Sequence, residues 1–245
     1  MYMPAPIPVL RQKLHDTVTR ELALRILDAD RRGELILFPN EAELSTQLGV
    51  SRTVVREAMK VLVDKGMVEM RPRAGTKSRS RLAWKLLDPD ILSWQTELEP
   101  DVQFLLNLCE VRLAIEPTAA GFAAVRSTQA ELDEIARRLM VREALPHDAS
   151  LQSVVDLDLE FFNAVIAASH NPLLVNLNGI IRVPFRTSLL YIFRMGTNIA
   201  LTLKAQRELF RALHRKDPVA ASRAAEKAVG VAMLAVEEKL QAEKK

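Results

Sequence analysis

Residues 39–77 read PNEAELSTQLGVSRTVVREAMKVLVDKGMVEMRPRAGTK, and this stretch decides how the amino-terminal part of the chain folds. Asn40 suits a helix N-cap, and Leu44 and Leu48 supply one buried stripe. Gly49 ends that helix, because glycine accepts the left-handed backbone of a sharp stop. Ser51 caps a second helix that runs to about Lys65 and closes at Gly66. Val68 to Arg71 then alternates like a strand, Pro72 to Gly75 has turn chemistry, and Thr76 starts a return strand. Helix, tight turn, helix and basic hairpin make a winged helix-turn-helix.

The second helix has two unlike faces. Val55, Ala58, Met59 and Leu62 are apolar at helical spacing, whereas Arg52 and Arg56 leave the opposite side four residues apart. A helix with one dry face and one arginine face fits a DNA major groove, where Arg52 and Arg56 meet base edges. Two arginines on an exposed face are as often simply solvated, so the hairpin decides between the readings. From Arg71 to Lys85 the chain carries Arg71, Arg73, Lys77, Arg79, Arg81 and Lys85 and no acidic residue. The candidate DNA contacts are Asn40, Ser51, Arg52, Thr53, Arg56, Arg73, Gly75 and Lys77. Of these, Ser51 and Thr53 would position phosphate, and Arg73 and Gly75 would lie at the backbone or minor groove.

The chain has 245 residues and a formal net charge of +3. That charge is uneven: residues 1–85 carry 16 basic against 10 acidic side chains, and the remainder 18 against 21. A basic head on a mildly acidic body suits DNA binding joined to a second task. The single Cys109 lies in an apolar helical stretch and reads as an inert thiol. No apolar run has membrane-spanning length and no signal-peptide core stands at the start, so a cytoplasmic protein with no membrane partner is expected.

Outside the motif, residues 10–28 read as a helix with Leu14, Val18, Leu22 and Ile26 on one stripe, and residues 34–38 as a short strand. The expected organisation is a winged helix-turn-helix over residues 10–79, a linker over 80–99 and an all-helical domain over 100–242. The linker holds Trp84, Trp94 and five leucines, which is too apolar to float free, and a short docked helix or two is expected there. Beyond Pro100 only helical patterns follow, at about 101–125, 129–144, 150–169, 172–195, 198–215 and 218–242. Pro117 and Pro184 fall inside two of them and should kink or break them. The fold class is mainly α, with a small β wing and a carboxy-terminal helical bundle.

Leu48-Gly49-Val50-Ser51-Arg52-Thr53, Val55-Arg56-Glu57-Ala58, Leu62, Gly66 and Gly75-Thr76 resemble the DNA-binding domain of the GntR family of bacterial transcription regulators. Asn40, Ala42 and Val54 depart from that family's usual serine, arginine and proline. Glu110 to Arg112, Glu116-Pro117, Asp158 to Phe161, Asn171 to Leu173 and Leu209 to Asp217 resemble the FCD ligand-binding domain of the FadR-type branch. The stretch from Trp84 to Trp94 is similar to regulators of galactonate and related sugar-acid catabolism.

The resemblance implies a homodimer that binds a double-stranded operator and answers to a small carboxylate effector. Many FCD domains also hold a divalent metal through one aspartate and three histidines. Here Asp158 matches the aspartate, but Phe162, Gln206 and Ala228 stand at the histidine positions. None of the three offers an imidazole, so no metal and no cofactor are expected. The candidate effector residues are Arg112, which matches the family's pocket arginine, with Asp158, Asn178, Arg182, Arg186 and Gln206. An internal salt bridge from Arg112 to Glu116 or Glu110 is the competing reading of that arginine. His15, His147, His170 and His214 are scattered and lack ligand spacing. No nucleophile-base pattern, phosphate loop or HExxH motif supports an enzyme. A DNA-binding dimer that senses no small molecule is the remaining alternative.

Overall fold

The computed structural model describes residues 9–71, 75–98, 101–146, 148–194, 196 and 199–243. The chain divides into two compact units, Met1–Leu98 and Glu99–Lys245.

The first unit runs α1 (Val9–Arg31), β1 (Leu37–Phe38), α2 (Glu41–Leu48), α3 (Arg52–Asp64), β2 (Val68–Arg71), β3 (Gly75–Ser78), a short 3-10 turn (Arg81–Ala83) and α4 (Pro89–Glu97). The local signals hold. The Asn40 side chain accepts from the Ala42 and Glu43 N–H groups, and Gly49 ends α2 at φ 65°. The Ser51 hydroxyl accepts from the Val54 N–H at 3.3 Å. Leu44, Val55, Ala58, Met59 and Leu62 are buried against Val18, Leu22 and Ile26 of α1. The three strands are antiparallel in the order β1-β3-β2, with Leu37 opposite Lys77 and Arg71 opposite Gly75. β1 is shorter than the sequence suggests: the Glu34 N–H still bonds back to Ala29 of α1, and the Ile36 N–H goes to the Ser78 hydroxyl.

Residues 80–98, expected from the sequence to be a linker, are built into this unit. Trp84, Ile91 and Trp94 are buried in the same core as Leu22 and Met59. The Trp84 indole donates to the Arg79 carbonyl at 2.9 Å. The Lys65 ammonium, almost fully buried, pairs with Asp88 and Asp90 at 2.7 Å each. The apolar content of the stretch is therefore core, and the end of α3 is pinned to the start of α4 through Lys65.

The second unit is a bundle of α5 (Val102–Arg126), α6 (Gln129–Glu143), α7 (Leu151–Ala167), α8 (Pro172–Arg194), α9 (Ile199–His214) and α10 (Pro218–Glu243). Thr128 and Glu131 close a capping box at the start of α6. Pro117 and Pro184 lie inside continuous helices, so of the two expected effects, a kink or a break, the break does not occur. Each removes one N–H donor and leaves the carbonyl four residues earlier without its usual helix partner. The Pro117 carbonyl itself accepts from the Ser222 hydroxyl of α10 at 2.7 Å. That contact requires α5 and α10 to lie close, and Gly121 permits it, since a Cβ there would sit 2.8 Å from the Ser222 hydroxyl. Among the described residues no helix is long and apolar enough to cross a membrane.

Candidate DNA interface and effector site

In the first unit, α3 presents Arg52, Thr53 and Arg56 to solvent, while Val54, Val55, Ala58 and Met59 are buried beneath them. Neither arginine forms an ion pair with another described residue, so both keep their donor sets available. Ser51 is exposed at the positive end of the same helix, where free N–H groups favour a phosphate. Asn40 is exposed too, but its side-chain oxygen is engaged by the cap of α2.

The wing is less cationic than its sequence suggests. Glu69 on β2 takes Lys77 at 2.9 Å and Arg71 at 3.2 Å. The Lys77 hydrogen bond, helped by Arg71, holds the Glu69 carboxyl below the usual range, so it stays charged and offsets both cations. Gly75 adopts φ 86°, a left-handed backbone that favours glycine at the wing tip. Arg73 lies outside the described residues.

In the second unit, Arg112 and Asp158 meet at one small cavity of about 20 Å³ with Phe162, Phe185, Thr202 and Ala228. Arg112 donates to Glu116 through Nε at 2.6 Å and Nη2 at 3.1 Å, and its guanidinium lies 3.9 Å from the centroid of the Phe185 ring. The Asp158 Oδ1 accepts from Arg142 Nε at 2.6 Å and from Gln206 Nε2 at 2.8 Å. All of these polar side chains are buried. Burial pushes the Asp158 carboxyl above the usual range, against the opposing pull of Arg142, Gln206 and Arg112. Three buried polar atoms of the cluster have no partner: Arg112 Nη1, Arg142 Nη2 and Gln206 Oε1.

The cavity therefore brings together Arg112, Asp158 and, through a hydrogen bond, Gln206. The other three candidates do not reach it. Asn178 donates to Asn163 at 2.6 Å. Arg186 forms a two-point pair with Asp156 at 2.5 and 2.9 Å on a half-exposed face. Arg182 is exposed. The reason is that α8 turns Phe185, Leu189 and Phe193 toward the cavity and leaves those polar residues on other faces.

Sequence reasoning missed Arg142. Its signal was present: Leu132, Ile135, Leu139 and Arg142 follow 3-4-3 spacing, so this arginine stands on the buried stripe of α6. Arg112 makes the internal bridge, with Glu116 and not Glu110 as partner, and keeps Nη1 unpaired. Cys109 is buried, and burial pushes its thiol up to about 11, which fits an inert side chain.

Metal chemistry does not fit this donor set. Asp158 is already occupied by a guanidinium and an amide N–H, Phe162 and Ala228 offer no donor atom, and no three metal-ligating side chains gather among the described residues. His170 pairs with Glu131 at 2.9 Å, far along the bundle, and His147 lies outside the described residues.

Comparison with known proteins follows this two-part division. Residues 14–77 match the family model described as bacterial regulatory proteins, gntR family, and residues 107–230 match the FCD domain. The galactonate operon transcriptional repressor of Escherichia coli K12 is 31% identical over 194 residues, covering 77% of this chain and 82% of that protein. The uncharacterized regulator YieP of the same organism is 29% identical over 214 residues, covering 87% and 91%. A solved structure of Lar, which controls expression of the Listeria monocytogenes agr system, shares 16% identity and superposes with a TM-score of 0.57 over 96% of this chain and 99% of that one, a likeness of fold alone. The chain belongs to the GntR family: it is a DNA-binding transcription regulator with an FCD effector-binding domain.

Proposed function

We propose that this regulator is a homodimeric repressor of an operon for the breakdown of a sugar acid or another small organic acid, released when that acid binds the second unit. A two-fold dimer would read a palindromic operator, with Arg52 and Arg56 of each copy at base edges in the major groove. The likeness to a galactonate operon repressor supports the ligand class.

The observation that carries the effector reading is the unpaired set Arg112 Nη1, Arg142 Nη2 and Gln206 Oε1 around Asp158. Native proteins rarely bury polar atoms without partners, and two guanidinium edges beside an amide oxygen suit a hydroxycarboxylate. The acid would then favour one arrangement of the bundle and change operator affinity by its differential binding energy.

A second reading, a dimer that binds DNA and senses nothing, draws on a specific observation: the cavity of about 20 Å³ has room for roughly one water, and Glu116 already fills two donors of Arg112. A thermal-shift screen of the full chain against hexonates, hexuronates and dicarboxylates separates the two. Stabilisation by one acid, with a matching loss of operator affinity in fluorescence anisotropy, supports the sensor. Silence across the screen rejects it. For the DNA-binding half, Arg56→Ala should cost about 1–3 kcal/mol on an operator selected from random duplexes, and unchanged affinity would reject the assignment.

A further inference from the structure

We infer that Arg142 is the resident cation of this site, a guanidinium supplied by α6 where a site of this type would otherwise seat a metal ion. Four positions converge here. Asp158, Phe162 and Ala228 line one cavity, and Gln206 bonds to Asp158. In this chain Phe162 and Ala228 have no donor atom, Gln206 offers one amide oxygen in place of an imidazole, and Asp158 is taken by Arg142 Nε at 2.6 Å. The replacement is chemically consistent. Arg142 and Asp158 are both about 95% buried, so each charge requires the other. A guanidinium keeps its charge at any physiological pH, so the site holds its positive pole without an exchangeable ion.

Arg142 Nε and Gln206 Nε2 both occupy Asp158 Oδ1, so a divalent ion approaching that oxygen meets a fixed positive charge and an N–H dipole aimed the wrong way. Gln206 gives its Nε2 donor to Asp158 and leaves Oε1, an acceptor, free for a hydroxyl or water. Arg142 also borders an outer cleft of about 430 Å³ with Leu145, Leu151, Val154, Ile199 and Leu203. It is thus the cationic residue common to that cleft and the Asp158 cluster. The inference deepens the effector reading and rests on it for the role of the guanidinium as an anion contact. Occupancy of the metal position by Arg142 can be read whatever acid binds.

The test uses the full-length chain and zinc or nickel as probe. After chelator treatment, reloading with either ion and dialysis, metal analysis should find far less than one equivalent per chain, and neither ion should raise the melting temperature. Histidines are then introduced by Phe162→His, Gln206→His and Ala228→His, with Arg142 kept in one version and changed by Arg142→Ala in the other. The version lacking Arg142 should bind zinc on the order of tenfold or more tightly than the version retaining it. One equivalent of metal held by the unaltered chain overturns the inference, as does equal zinc affinity of the two histidine versions. The metal content of the unaltered chain tests the inference even if the substituted chains fail to fold. Failure of the acid screen with a metal-free result would reject the sensor and leave Arg142 as a structural cation.

Discussion

Arg112 and Glu116, four residues apart on α5, form a two-point ion pair in which both side chains are about 95% buried. Glu116 takes Nε and Nη2 of Arg112 and leaves Nη1 over. Removing one partner strands a buried charge, whereas removing both does not. Glu116→Gln should therefore destabilise the second unit by about 3–5 kcal/mol in urea unfolding, and Arg112→Met combined with Glu116→Leu should recover most of that loss. Equal losses in the single and double variants would show that shape, not charge pairing, sets the cost.

Asp158 gives a pH dependence whose sign follows from its environment. Burial lifts its carboxyl above the ordinary value near 3.8 despite Arg142, Gln206 and Arg112. The folded state then holds the proton more tightly than the unfolded one, so this group's contribution is full below about pH 3.9 and declines as pH climbs through the folded value. Asp158→Asn removes that dependence. The stability of the unaltered chain relative to the variant should fall as pH rises above about 4 in denaturant titrations. A relative stability that grows over this range would mean that Arg142 outweighs burial.

What could be read in the sequence was local. Asn40, Gly49 and Ser51 mark their helix ends through bonds spanning two to five residues, so the helix-turn-helix was legible from side-chain type alone. Arg52 and Arg56 were legible because the apolar stripe opposite them fixes which way they face. The effector cluster is different, since Arg142 reaches Asp158 across 16 positions and Gln206 across 48. No local rule joins those residues, and only the arginine on an apolar stripe hinted at a partner. Trp84 misled for a related reason: its apolar bulk was plain, but the core it fills is built largely by α1 and α3, far back in the chain.

Glu69 should restrain the wing's grip on DNA, because Lys77 and Arg71 both lean on it. Glu69→Gln removes the offsetting charge without removing either cation. Affinity for a random duplex should rise, and the slope of log affinity against log salt should steepen by about 1–2 as more phosphates are neutralised. Fluorescence anisotropy over a salt series reads both quantities. An unchanged slope would show that those two cations do not reach the duplex.

Gly66 and Gly49 end successive helices with left-handed backbones, at φ 77° and 65°, yet their surroundings differ. A Cβ at Gly49 meets nothing within 4 Å, whereas at Gly66 it would lie 2.3 Å from the Ala83 carbonyl oxygen and 3.3 Å from the Trp84 Cα. Gly49→Ala should therefore cost only the left-handed backbone term, about 1–2 kcal/mol. Gly66→Ala carries the same term and must also displace the backbone that seats Trp84 in the core. Its cost should be about 3 kcal/mol or more in unfolding of the first unit. The order of the two is the test. Equal costs would mean that the 3-10 turn can move away from the end of α3 without disturbing Trp84.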